Sequence, residues 1–265
     1  MELNNWKPTE EFIPILTNDN YFEDTHYMSV SSFKKFQKCE LGGTTPWGTP
    51  SDAMMVGSYV DAYIEGTLDK FKADNPQIIS SRGATKGELK SEFQKANEIC
   101  KYIDADVTFS QFMSGEKQTI MTGEIAGVPF KIKMDSYSKG IAINDLKVMR
   151  SVTDSKGNFM DFITPWGYDI QLACYQEIVF QNTGEKLPCY ICAVTKENPI
   201  NSVIINIPQT FLDRALYNVE CNVKRYYDIK QGTVDAVGCG TCATCISTRK
   251  STPIISLQDI LEGVV

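Results

Sequence analysis

Residues 128–135 leave this chain little freedom. In Val128-Pro-Phe-Lys-Ile-Lys-Met-Asp135, apolar Val128, Phe130, Ile132 and Met134 take every second place, and Lys131, Lys133 and Asp135 take the others. A period of two belongs to a strand with one face in a core. Ser136 to Gly140 supplies a turn, and Ile141-Ala-Ile-Asn-Asp-Leu-Lys147 reads as the next strand. Asp145 and Lys147 then share a face, and Leu146 points the other way. Gln118 to Glu124, rich in Thr and Ile, turns at Gly127 into the first of these strands, which makes an antiparallel meander. Two carboxylates and an ammonium thus stand near the ends of paired strands. Carboxylate oxygens suit Mg²⁺. A bound metal polarises a phosphate and acidifies water, and an ammonium can orient that water or stabilise developing charge. Asp135, Asp145 and Lys147 are therefore candidate catalytic residues for metal-dependent phosphodiester hydrolysis. An Asp-x-Lys tripeptide is common on solvated strands, so its context decides its meaning.

That context begins with a lead-in, residues 1–26, which holds six acids up to Asp24 against the single Lys7. Ser29 or Ser31 can cap a first helix containing Phe33 and Phe36, and Ser51 or Asp52 can cap a second over about 52–66. In that second helix Gly57, Asp61 and Glu65 recur every four residues on one stripe, while much of the rest is apolar. Carboxylates on a mostly buried helix are costly unless paired or metal-bound, so Asp61 joins the candidate metal ligands. Gly57 offers room for a close approach. Residues 67–86 read as a mobile stretch, residues 88–104 as a helix, and Val107 to Ser114 as a connector with room for one short helical turn. After Pro165-Trp-Gly167 comes a helix over about 168–181, with Tyr168, Gln171 and Tyr175 along one face. Residues 188–195 and 201–207 suggest a hairpin. Thr210 to Gln231 suggests a last long helix, with Arg214, Lys224 and Arg225 available to a ligand.

Apolar residues make up 42% of the 265, enough for a full core. There is no run of eighteen apolar residues and no basic, apolar leader at the N-terminus, which predicts a cytoplasmic protein with reduced thiols and no membrane partner. The net charge of −7 argues against nucleic-acid binding at first sight. Residues 131–156, however, carry six cations against three acids, and Lys131, Lys133 and Arg150 would steer phosphates there. Nine cysteines in a reducing compartment point to metal wherever they cluster. Cys239-Gly-Thr-Cys242-Ala-Thr-Cys245 is such a cluster, able to turn around Zn²⁺ or a [4Fe–4S] cluster. It lacks a fourth ligand, for which Cys39, Cys221 and His26 are candidates. Cys189 and Cys192 would face opposite ways on a strand and make a poor chelate.

In order, Asp61 on a helix, Asp135, Asp145-Leu-Lys147, and Gln171 to Tyr175 on a helix resemble the PD-(D/E)XK nuclease superfamily. More narrowly they resemble its RecE-type and RecB-like phage or prophage exonucleases. Tyr27-Met-Ser-Val-Ser-Ser-Phe33 with Cys39-Glu40, Gly115-Glu-Lys-Gln118, and Thr122 through Asp135 are similar to that group. The resemblance spans roughly residues 27–250, read as one nuclease domain ending in the cysteine cluster, with a tail over 251–265. It implies an α/β (α+β) fold with a restriction-endonuclease-like core: a central mixed sheet flanked by helices. It implies Mg²⁺ or Mn²⁺ on Asp135, Asp145 and the Leu146 carbonyl, and a water positioned by Lys147. Gln171 and Tyr175 would match the family's Q-x-x-x-Y helix, supporting the site and contacting DNA. Asp61 stands where many RecB-like members have histidine, which leaves one or two metals open, and Glu116 or Glu124 could assist. Related nucleases carry a four-cysteine Fe–S clamp, which Cys39 with Cys239, Cys242 and Cys245 resembles at tighter spacing.

The activity implied is degradation of linear double-stranded DNA from its ends, leaving single strand for an annealing protein, in a homo-oligomeric ring. The alternatives are a single-strand or structure-specific nuclease, and a non-catalytic module that binds DNA or a protein partner on the same fold.

Overall fold

The computed structural model describes residues 15–252 and 254–263. The first fourteen residues of the acidic lead-in and parts of the tail lie outside them. The sheet forms from β1 (Met28–Ser29), β2 (Glu116–Ile125), β3 (Val128–Ser138), β4 (Ala142–Met149), β5 (Cys189–Thr195) and β6 (Ser202–Asn206). Their order is β1-β3-β4-β5-β6, with β2 also paired to β3. The β2-β3-β4 meander and the β5-β6 hairpin are antiparallel, as the sequence predicts. β1 joins β3, and β4 joins β5, in parallel. The parallel step needs a crossover, supplied by α7 (Ile163–Trp166) and α8 (Tyr168–Thr183).

One face of the sheet is covered by α1 (Val30–Lys38), α8 and α9 (Gln209–Lys230). Phe33, Phe36, Leu172, Ile178 and Val219 pack there on Phe130, Ile132, Met134 and Ile143. The other face is covered by α3 (Asp52–Ile64), α5 (Ser91–Ala105) and α6 (Val107–Phe112). Val56, Tyr59, Phe93, Ile99 and Phe109 pack there with Leu146, Cys192 and Val194. Cys192 is thus on the opposite face from Cys189, and neither chelates. Ser29 Oγ caps α1 through the Ser32 amide, and Ser51 Oγ caps α3 through the Met54 amide.

One expectation changes and two become more definite. Residues 67–86 contain α4 (Leu68–Asp74) and a 3₁₀ turn, Pro76–Ile78, whose Ile78 is fully buried beside Tyr59, so this stretch belongs to the second core. The connector after Val107 is largely helical, capped by Asp106. A Cβ built at Gly57 meets nothing within 4 Å, so no described chain element approaches that glycine and the room there stays open to a ligand. No described helix is long and apolar enough to cross a membrane.

Candidate functional site

The β3–β4 ladder runs only through Ser136↔Asn144, Tyr137↔Ile143 and Ser138↔Ala142. Beyond Ser136 the strands part, and Asp135 and Asp145 stand at the fork. The Leu146 amide donates to Asp135 Oδ2 at 2.9 Å, which bridges the gap. Leu146 itself packs into the second core, as its alternation predicts.

Asp145 is 1% exposed. Its Oδ1 accepts from Gln171 Nε2 at 2.8 Å, and its Oδ2 is ion-paired with the Lys147 ammonium. Gln171 Nε2 also donates to the Tyr175 hydroxyl at 2.9 Å, and that hydroxyl donates to the Lys133 carbonyl at 2.8 Å. The spacing of four on α8 therefore links both strands of the fork through one amide and one phenol. Tyr175→Phe removes the bond to β3 and leaves the ring packing. We expect roughly tenfold slower turnover with little change in melting temperature, read by single-turnover kinetics.

Asp61 and Glu65 come in from α3. With Gln118, Lys133 and Asp135 they line a cleft of about 420 Å³, and the exposed ring of Phe22 lies at its side. Gln118 interrupts the β2–β3 ladder opposite Asp135 with φ 50°, and its amide points to Asp135 Oδ1 at 3.4 Å. A non-glycine residue in that region is strained, a cost commonly found at functional sites. Its positive φ could not be read from the sequence. Tyr168, third member of the α8 stripe, places its ring 4.9 Å from the Lys147 ammonium.

The electrostatics explain what the donor set lacks. Burial pushes the Asp145 carboxyl up to about 7, with Lys147 pulling it down and Asp135 pushing it further up. Burial, then Asp135, drives the Asp61 carboxyl well above the ordinary range, and Asp145 and Glu65 add to this against Lys147. Burial opposes charge on Lys147, but Asp145 and Asp135 outweigh it and hold the ammonium protonated. Lys147 is thus suited to orient and stabilise rather than to accept a proton. Hard oxygen donors crowded beyond what the nearby ammonium neutralises fit a divalent Mg²⁺ or Mn²⁺.

This crowding has a measurable sign. A folded-state pKa raised above the unfolded value favours the protonated form in the fold. The stability this contributes is present below the ordinary carboxyl range and is lost as pH rises through the raised value. Asp61→Asn should therefore raise the melting temperature of metal-free protein at pH 8 by about 2–4 °C. The gap should close near pH 4, and thermal melts in EDTA at both pH values read it.

Other predicted residues fall elsewhere. Lys131 is 5% exposed, and Asp24 holds its ammonium at 2.9 Å with the Asp24 carbonyl at 3.1 Å, so it anchors the lead-in and is not available to phosphates. Arg150 is exposed just past β4 and lines neither large cleft. Arg225 is bidentate to Glu40 at 2.6 and 2.7 Å, and Lys224 pairs with Asp228. Glu116 and Glu124 are exposed on β2 and do not line the cleft. Of the predicted cations, Lys133 and Lys147 alone reach the carboxylates.

The cysteines gather at the far end of α1. Cys39, between α1 and α2 (Glu40–Gly43), meets Cys239, Cys242 and Cys245, the last on α10 (Ala243–Ser247). All four sulfurs lie within 4.8 Å of one another. Cys39 Sγ is 3.6 Å, and Cys239 Sγ 3.9 Å, from Cys245 Sγ. Amides of Gly42 and Cys239 point at the Cys39 sulfur and that of Cys242 at the Cys239 sulfur, at 3.3–3.4 Å, the pattern that favours thiolate at those two positions. Tetrahedral Zn²⁺ with 2.3 Å bonds needs sulfurs about 3.8 Å apart. A [4Fe–4S] cubane, with each thiolate on its own iron, needs on the order of 6 Å. The set fits a single ion and does not fit the cubane. Cys221 is exposed on α9 and His26 packs on Tyr27, so neither supplies a ligand.

Among solved structures, a crystal structure from Eubacterium rectale described as a "putative exonuclease" is 44% identical, covering 94% of this chain and 99% of its own, with a TM-score of 0.84. A second, SSO0001, is 12% identical over 74% of this chain and 85% of its own at a TM-score of 0.28, too low to bear on the fold. No curated protein matches the sequence. Residues 29–248 match the PDDEXK-like domain of unknown function DUF3799, and the chain belongs to that family.

Proposed function

We propose that this protein is a metal-dependent exodeoxyribonuclease that degrades linear double-stranded DNA from its ends. The observation that carries the reading is the fork. Asp135 and Asp145 stand where β3 and β4 separate, Asp61 faces them from α3, and a charged Lys147 is paired to Asp145. Family membership and the "putative exonuclease" relative support the same chemistry. Asp135, Asp145, Asp61 and the Leu146 carbonyl would hold Mg²⁺ or Mn²⁺, which when bound supplies a Lewis acid for the phosphate and an acidified water.

The chain's own groups do the rest. Gln171 holds the Asp145 carboxylate in one orientation, and Tyr175 ties that arrangement to β3 through the Lys133 carbonyl. The Lys147 ammonium orients the attacking water and stabilises charge as the phosphoryl group is transferred. Lys133, at the side of the acidic cleft, attracts the substrate's phosphates. Hydrolysis from an end would leave single strand for an annealing protein.

The test uses end-labelled linear duplex and closed circular DNA, each with Mg²⁺ and with EDTA. Loss of the linear substrate alone, only with metal, is the expected result, and the label's position gives polarity. Cleavage of the circle would replace the exonuclease reading with an endonuclease. Cleavage of neither, by folded protein in Mg²⁺ and in Mn²⁺, would leave a non-catalytic binding module.

A further inference from the structure

A second cleft, of about 660 Å³, opens on the α8 side of the fork. Lys34 and Lys38 of α1, Arg214 and Asn218 of α9, and Trp166 and Asp169 at the α7–α8 junction line it. Neither the catalytic reading nor the packing of the core accounts for this combination.

Lys34 enters the cleft past Gly167, whose left-handed φ of 62° lets the backbone turn there. A Cβ at that position would meet Lys34 Cε at 3.3 Å. Its ammonium lies 5.4 Å from the Tyr168 ring centroid, and the catalytic Lys147 approaches the same ring at 4.9 Å. Lys34 makes no ion pair among the described residues. Burial, then the Lys147 charge, push it down to about 8 against the pull of Asp145 and Asp169, neither of which it contacts as an ion pair. Asp169 is 6% exposed, and its Oδ1 is buried with no hydrogen-bond partner among the described residues. An unpartnered buried acceptor is costly and calls for a donor. Trp166 is 59% exposed and offers an indole face at the rim.

We propose that this cleft binds one nucleotide of the strand being processed. The phosphate would lie on Lys34, Lys38 and Arg214, a base N–H or sugar hydroxyl would donate to Asp169 Oδ1, and the base would stack on Trp166. A nucleotide meets the three demands at once: an anion, a hydrogen-bond donor and a flat π-face. Inorganic phosphate leaves Asp169 and Trp166 unused, and an apolar ligand leaves the cations unpaired. The volume suits a small ligand. The ligand class rests on the nuclease reading, but the binding test does not.

The test is titration of the full chain, in EDTA, with deoxynucleoside 5′-monophosphates, with the unphosphorylated nucleosides and with inorganic phosphate. Calorimetry and tryptophan fluorescence are followed together. Saturable monophosphate binding with quenching is expected, at least roughly tenfold tighter than either fragment. Trp166→Phe should remove the quenching and weaken binding. Lys34→Gln and Asp169→Ala should each weaken it about tenfold, and Asp169→Asn, which keeps an acceptor, should restore most of the affinity. If Asp169→Ala does not fold, Lys34→Gln and Trp166→Phe carry the test. No heat and no quenching would overturn the proposal, as would phosphate binding as tightly as the nucleotide or affinity unmoved in these variants. Binding without any DNA cleavage would uphold this cleft and sink the nuclease reading. Cleavage without nucleotide binding would do the reverse.

Discussion

Asp145→Asn should reduce DNA hydrolysis by roughly 10³-fold or more while leaving the fold intact. The amide is isosteric, and its oxygen can still accept from Gln171, so the α8 contact survives. What disappears is one negative charge at the most buried carboxylate of the fork. In the proposed mechanism that charge has two roles: it would ligate the metal, and with Asp135 it keeps Lys147 protonated against burial. Lys147→Ala should be similarly damaging, and the double variant scarcely worse than either, because the groups act as a unit. A pH signature separates this loss from a packing defect. The wild-type Asp145 carboxyl titrates near 7 without metal, so below that pH a cation must displace a proton to bind. Apparent Mg²⁺ affinity should weaken by up to about tenfold per unit as pH falls below 7. In Asp145→Asn that dependence should become shallower, leaving only the proton that the cation must displace from Asp61. Calorimetric Mg²⁺ titrations from pH 5.5 to 8.5 test it. Near wild-type activity in Asp145→Asn would remove Asp145 from the mechanism.

Much of this site was legible because strand periodicity is local information. The alternation of Val128 through Met134 places Asp135 on the face opposite the apolar row. The two-residue step from Asp145 to Lys147 puts both on one side of β4. The four-residue step from Gln171 to Tyr175 does the same on α8. What escaped reading depends on where separate elements meet. Lys131 and Lys133 look equivalent in the sequence. Asp24 and the Tyr21 and Asp24 carbonyls close over Lys131, because the lead-in returns across that part of β3, and Lys133 stays at the open cleft. Lys34 and Asp169 carried no sequence signal, since a helix surface lysine and a first-turn acid are ordinary. They gain meaning only when α1, α8 and α9 enclose one cleft. Residues 67–86 misled through their Gly, Ser and Asn content, which hid that Ile78 plugs the second core. Spacing alone left the fourth ligand open among Cys39, Cys221 and His26 for the same reason, and only the family resemblance pointed across two hundred residues to Cys39.

Cys39→Ser should empty the cysteine site and release the C-terminal segment. Purified wild-type protein should carry one equivalent of zinc and no iron, and the variant should carry almost none. Iron together with visible charge-transfer absorption in the wild type would replace the single ion with a cluster. The expected effect on stability is large, because a structural zinc site contributes folding free energy directly. Without the ion, Leu41 N to the Val237 carbonyl at 3.2 Å, Val237 N to Glu40 at 2.9 Å, and the Cys239 amide contact hold the segment to α2. The last of these is lost or weakened with the sulfur. Arg225 to Glu40 still joins α9 to α2, but residues 239–250 bury only Cys245 and have no core of their own. The melting temperature should fall by about ten degrees, and limited proteolysis should cut first between 232 and 250. The sheet and its two cores should persist, since none of the four cysteines belongs to either core cluster. Function should suffer through α1, which carries Lys34 and Lys38 on its surface and runs directly into Cys39 of the clamp. Loosening that helix against α9 should weaken DNA binding several-fold while leaving single-turnover cleavage of bound DNA nearly unchanged. A variant that keeps its zinc, its protease resistance and its DNA affinity would show that Cys39 is a buried thiol and nothing more.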